Sequence, residues 1–282
     1  MDSKEFGLVA AQQLFKLESL HYGFWESGAA ISINEIVKAQ EKHTSFLCEH
    51  IRDAIADNNT AKILDVGCGT GLVVKKLLQM GYNVDGLVPS NWMAKMAREK
   101  VVPYKNDSKG RIYESTFEDF ARLNVIDKYQ IVFFSESYQY IDLQSSFNVL
   151  GRILSDTGTV IIFDFFRRDG VEGKSPLGGG HSIGEFYRAV TKNGFKITKD
   201  LDVTSNLSPN LQLVSEILAE RILPFAETLD KFLSARYKNT LRLLKFLFKK
   251  KLDKTKFKYS VERNRENFEK FKTYRLMVIE KV

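Results

Sequence analysis

The chain is poor in cysteine: Cys48 and Cys68 are the only two in 282 residues. That excludes a disulfide framework and points to a reducing compartment, so a cytoplasmic protein is expected. No apolar run reaches the ~18 residues needed to span a bilayer. The opening Met-Asp-Ser-Lys-Glu is acidic and polar and does not read as a signal peptide. Four histidines, His21, His43, His50 and His181, show no metal-ligand spacing with cysteines or acids, and no metal is expected. Each reads as a surface or packing residue, with His181 the best outside candidate for a base. No internal repeat is visible.

Apolar residues make up 44% of the chain, enough for a real core. The net charge of +7 is unevenly spread. Residues 236–258 hold ten Lys or Arg and one acid, a local balance of +9, which leaves −2 for everything else. Such a distribution argues against a broad nucleic-acid footprint and for one local anionic contact. In that segment Leu241, Leu244, Leu247 and Phe248 recur among the cations at helical spacing. The pattern suits either a cap on a cleft or a helix lying on an anionic membrane.

The most informative run is residues 62–71, Lys-Ile-Leu-Asp-Val-Gly-Cys-Gly-Thr-Gly. An apolar strand ends in Asp65, a Gly-x-Gly-x-Gly turn follows, and a helix opens. The glycines permit a tight turn and close approach to a ligand. The helix start offers unpaired N–H groups and a positive dipole end. From here short β-rich runs alternate with helical patterns. Strands are expected at 62–66, 83–88, 110–115, 129–135, 158–166 and 195–203. Helices are expected at 70–80, 90–100, 117–122, 144–154 and 183–193. That alternation predicts an α/β fold, a parallel sheet covered on both faces. Residues 204–271 break the rhythm with helical patterns at 211–233, 237–250 and 262–271, and 273–281 reads as a last strand. Before the sheet, 8–20 and 33–56 have helical spacing. The loop at 170–180 is glycine-rich and expected to be mobile.

The run at 62–71 resembles motif I of the class I S-adenosylmethionine-dependent methyltransferases. The resemblance implies their doubly wound seven-stranded Rossmann-like sheet, whose last strand is antiparallel. It divides the chain into a helical N-terminal lid (1–61), a cofactor-binding core (62–203), a helical substrate-cap insertion (204–271) and a final core strand (272–282). S-adenosyl-L-methionine is the implied cofactor, with Asp65, Gly67, Cys68, Gly69 and Gly71 around its amino-acid part. After the second strand, Gly86-Leu-Val-Pro-Ser90 lacks the family's usual ribose-binding acid. That position is Val88, and Asp85 lies too early. A similar pattern occurs in cyclopropane fatty-acid synthases and some carbon-methylating relatives; Val88, Pro89 and Ser90 are the implied contacts. Thr116 and Phe117 would flank the adenine, and Ser135 would close the floor.

The fourth strand is followed by Ser-Glu-Ser-Tyr-Gln-Tyr, similar to small-molecule enzymes of this family, including those that methylate terpenoid chains. Glu136 is the candidate proton acceptor or stabiliser of positive charge. Tyr140 lines the acceptor side. His21-Tyr-Gly-Phe-Trp25 resembles a lid segment of these enzymes, with Tyr22 against the cofactor and beside the chemistry. Adjacent prolines, and with them an Asn-Pro-Pro-Tyr signature, are absent, as are a Pro-Cys nucleophile and a second loop glutamate. A small or lipid-like organic acceptor is therefore expected. The alternatives are an RNA methyltransferase using 236–258, or a cofactor-binding regulator without turnover.

Overall fold

The structure is a computed structural model; it describes residues 5, 7–9, 12–13, 17–55, 60–104, 109–123, 128–237 and 262–282. The predicted helix at 237–250, the basic segment from residue 238 onward and parts of the 8–20 helix lie outside the described residues. The elements in chain order are α1 (Ile36–Ile55), β1 (Lys62–Val66), α2 (Leu72–Gln79), β2 (Asn83–Leu87), α3 (Asn91–Val101), β3 (Ile112–Tyr113), α4 (Phe117–Phe120) and β4 (Tyr129–Ser135). They continue with α5 (Leu143–Ile153), β5 (Leu154–Arg167), α6 (Ile183–Lys192), β6 (Phe195–Asp202), α7 (Thr204–Leu207), α8 (Pro209–Ile217), α9 (Leu223–Arg236), α10 (Arg265–Phe271) and β7 (Lys272–Lys281).

One seven-stranded sheet runs β3-β2-β1-β4-β5-β7-β6. β1 to β5 pair in parallel, and β7 is antiparallel to both of its neighbours. Alternation along a strand sends successive side chains to opposite faces. In β4, Ile131 and Phe133 join the core under α1, α2, α3 and α10, while Val132 and Phe134 join the core under α4, α5 and α6. Because both faces are covered, β4 and β5 read as nearly unbroken apolar runs. The strand order reverses between β1 and β4, and that switch point leaves a crevice at the strands' carboxyl ends.

Two details depart from the sequence expectations. β5 begins at Leu154, because Leu154 already pairs with Tyr129. The glycine-rich loop is tied down at its far end. Lys272 Nζ donates to Gly179 O (2.6 Å), Arg167 Nε to Gly180 O (3.0 Å) and His181 Nε2 to Tyr138 O (3.1 Å). Among the described residues no helix is long and apolar enough to cross a membrane.

Residues 21–25 are held against α7 and α8 by side-chain amides. Asn210 Oδ1 accepts from Gly23 N, its Nδ2 donates to Gly23 O, and Asn206 Nδ2 donates to Trp25 O. Trp25 packs with Ile36, Ala39 and Leu213, and Phe24 stacks on Phe46. Gly23 has no room for a side chain, since a Cβ would lie 2.5 Å from Ala39 Cβ. Asn210→Ala leaves two buried backbone groups unpaired and should cost about 2 kcal/mol or more. A urea-unfolding midpoint equal to wild type would contradict this role for Asn210.

Candidate active site

At the switch point lies a cavity of about 650 Å³. Its floor is the β1–α2 loop. The three glycines there have φ of +83° (Gly67), +54° (Gly69) and +79° (Gly71), the left-handed region that disfavours any Cβ. Their surroundings differ. A Cβ on Gly67 would strike Ser137 at 2.3 Å, and one on Gly71 would meet Ala97 of α3 at 3.0 Å. Nothing lies within 4 Å of a Cβ built on Gly69, so the middle glycine borders open cavity. Gly67 N and Cys68 N both donate to Leu87 O, which locks the turn onto β2. Helix α2 starts at Gly71 without a side-chain cap, and its first residues, Leu72 and Val73, line the cavity. Their N–H groups present a positive end to an anion.

Asp65 is buried at the tip of β1, and its carboxylate has no hydrogen-bond partner among the described residues. Burial alone pushes its pKa up to about 8. A carboxylate so placed needs a cation. Asp65, the open space at Gly69 and the bare helix start thus match the ammonium and carboxylate of an amino-acid tail. The residues present fit the cofactor that motif I implies.

Along the same wall stand Val88, Pro89, Ser90, Thr116, Phe117, Glu118 and Ser135. The Ser90 side chain caps α3 by accepting from Met93 N. The Thr116 hydroxyl accepts from Asp119 N and donates to Asp119 Oδ2, so only the backbone of Thr116 is left for a ligand's edge. Phe117 meets Phe134 edge-on while lining the cavity. Asp85 is turned away, held by Lys62 Nζ (3.3 Å), Tyr129 OH (3.1 Å) and Arg111 N (3.0 Å).

Glu136 stands at the other end. Its φ of +54° makes it the non-glycine left-handed residue among those described, a conformation that costs about 1–2 kcal/mol. Oε1 accepts from Tyr22 N (2.9 Å) and Tyr274 OH (3.0 Å). Oε2 has no partner among the described residues, and Glu136 lines the cavity. Burial, partly offset by those two donors, raises its pKa to about 8. The next residue, Ser137, donates to Val66 O and so ties the β4 loop to the glycine turn. Tyr140 is on the rim.

The cavity wall thus includes Asp65, Gly67, Cys68, Gly69, Val88, Pro89, Ser90, Thr116, Phe117, Ser135, Glu136 and Tyr140. Two other sequence candidates stand off it. Gly71 packs against α3. The Tyr22 ring is turned toward Phe268 and Tyr274, with centroids 6.3 and 6.2 Å away; only its backbone bears on Glu136. His181, the outside candidate for a base, is committed to the Tyr138 carbonyl. Sequence reasoning missed Ser137, Tyr274 and His21. The first two act through hydrogen bonds across more than 70 residues of chain, and His21 gave no spacing signal. Among the described residues no three His, Cys, Asp or Glu side chains group as a metal site.

Comparison with known proteins agrees with this geometry. Residues 64–162 match the family model described as "Methyltransferase domain". An uncharacterized methyltransferase of Alkaliphilus oremlandii is 27% identical over 134 residues, 46% of this chain and 57% of that one. A malonyl-[acyl-carrier protein] O-methyltransferase of Bacillus cereus is 24% identical over 143 residues, 50% of each chain. The chain thus spans about half the length of these relatives. In fold, it is similar to a putative sarcosine dimethylglycine methyltransferase from Galdieria sulphuraria, with a TM-score of 0.71, 17% identity, and coverage of 99% of this chain and 98% of that one. Residues 64–162 thus carry a match to a methyltransferase domain, set in a fold similar to that of a methyltransferase.

Proposed function

We propose that the protein transfers a methyl group from S-adenosyl-L-methionine to a small or lipid-like organic acceptor. One observation carries the reading: a single cavity has a partnerless Asp65 carboxylate at one end and the free oxygen of Glu136 at the other. The bound cofactor would supply an electrophilic methyl on a sulfonium. Asp65, Gly69 and the start of α2 would hold its amino-acid tail, with Val88, Pro89, Ser90, Phe117 and the Thr116 backbone along its nucleoside. Glu136 would meet the acceptor. Its anchored Oε1 fixes the side chain, and Oε2 accepts from the nucleophile or balances developing positive charge. Residues 17–25 would exclude water as a lid. Holding both reactants in line in a dry cleft would supply much of the rate. Relatives that methylate an acyl carrier's malonyl group support an organic acceptor over a nucleic acid. The test is to incubate the protein with methyl-labelled cofactor and a host metabolite and lipid extract. A labelled small product supports the reading; label found in RNA alone would overturn it.

The acceptor's chemistry connects to the insertion. Every residue of α9 is at least partly exposed, and Ile222, Phe225, Leu229 and Phe232 form one stripe, with Phe225 69% exposed. The +9 segment follows directly. An apolar stripe followed in sequence by clustered cations favours an amphiphilic acceptor or the anionic membrane that holds it. Replacing Lys249, Lys250 and Lys251 with Gln should weaken binding to anionic vesicles by about 1 kcal/mol per charge at low salt, and less as salt rises. Absence of wild-type sedimentation with such vesicles at low salt would eliminate the membrane contact.

A further inference from the structure

Resting on the methyl-transfer reading, we propose that His21 is a second proton acceptor of the cavity, its Nε2 taking the proton of an O–H or N–H nucleophile held beside Glu136.

The backbone of Tyr22 serves both groups. Its N–H donates to Glu136 Oε1 (2.9 Å), and its carbonyl lies 2.8 Å from His21 Nδ1. A carbonyl only accepts, so Nδ1 carries the proton. A neutral ring then leaves Nε2 as a bare acceptor, with no partner among the described residues, on a side chain that lines the cavity. The ring cannot swing freely. It stacks on His43 at 4.7 Å, His43 stacks on Phe163 at 4.4 Å, and the His21 carbonyl accepts from Gln40 Nε2 at 2.8 Å. His43 itself is spoken for, buried with Nε2 3.4 Å from Tyr274 OH and 3.7 Å from Glu136 Oε1. Burial holds the His21 pKa below the usual histidine range, so the ring is neutral and able to accept near pH 7. The Glu136 carboxyl, raised to about 8, is a poorer acceptor there until a cation beside it draws the proton off.

The step balances. The nucleophile's lone pair forms the bond to the methyl carbon, and the carbon–sulfur bond breaks with its electrons staying on sulfur. The O–H or N–H proton passes to Nε2, and the imidazolium releases it to solvent. Glu136, close by through Tyr22, stabilises the imidazolium while it lasts. A hydroxyl or amine suits this pair, so the acceptor class is a protic heteroatom nucleophile.

The test uses the full chain with isotope-labelled histidine nitrogens, His21 being assigned by its loss in His21→Asn. The amide of Asn preserves a donor to the Tyr22 carbonyl and deletes Nε2. Nitrogen chemical shifts near pH 7 should report a protonated Nδ1 and an unprotonated Nε2. In the labelled-extract assay His21→Asn should lower methyl transfer by about a hundredfold or more, with S-adenosylhomocysteine binding kept. A proton on Nε2, or transfer by His21→Asn within about twofold of wild type, would overturn the proposal. Failure of the wild type to bind S-adenosylhomocysteine would instead remove the methyl-transfer reading beneath it, and the shifts distinguish the two failures because they require no cofactor.

Discussion

Gly69→Val should lower the affinity for S-adenosylhomocysteine by about a hundredfold or more in a chain that stays folded. The residue has a positive φ, so a side chain there is strained by about 1–2 kcal/mol, which lies within the stability of an ordinary domain. Nothing within 4 Å opposes a Cβ, so the valine occupies the space meant for ligand. Gly67→Ala behaves differently, because its Cβ runs into Ser137 and pushes the β4 loop off the glycine turn; it should lower the unfolding midpoint as well. Asp65 gives the same pocket a pH signature. With its pKa at about 8 in the empty cavity, the carboxyl must lose a proton before it can pair with an ammonium. Affinity should therefore rise by up to about tenfold per pH unit as pH climbs toward 8, and level off above it. Asp65→Asn should bind weakly and with a flat profile over this window. Isothermal calorimetry across the range checks both, and an unchanged slope in Asp65→Asn would remove Asp65 from the role.

Glu136→Gln should lower methyl transfer by about ten- to a thousandfold, with S-adenosylhomocysteine affinity nearly kept. The amide preserves the acceptor for Tyr22 N and Tyr274 OH, so the loop keeps its shape. What disappears is the charge on the free oxygen. Tyr274→Phe offers a milder companion. It removes one of two anchors of Oε1, lets the carboxylate drift, and should lower turnover less than Glu136→Gln. Turnover of Glu136→Gln equal to wild type would reduce Glu136 to a structural carboxylate.

What the sequence revealed follows from how local each signal is. The β1 strand, the glycine turn and α2 are contiguous, so motif I was readable in one line, and the apolar runs of β4 and β5 announced strands covered on both faces. The placing of Asp85 was legible for the same reason: a register count along β2 put it too early for the ligand, and its side chain is indeed spent on Lys62 and Tyr129. The Tyr22 ring was not legible. Its direction is set by Tyr274 and Phe268, more than 240 residues away along the chain. The same holds for His21, whose ring orientation depends on the stack with His43 and Phe163 and whose backbone is held by Gln40. Glu136 is a candidate by its place after β4, yet nothing in the residue type foretold its left-handed backbone.

The cavity at the switch point should take the adenosyl cofactor, gripped by Asp65 and the glycine turn. Calorimetric titration of the wild-type chain with S-adenosylhomocysteine, in two buffers of different ionisation enthalpy near pH 7, tests it most directly. Saturable one-to-one binding with release of up to about one proton is expected, as the raised Asp65 carboxyl ionises against the ligand's ammonium. No heat of binding in either buffer at ligand concentrations up to ~1 mM, well above the usual micromolar range, would contradict it.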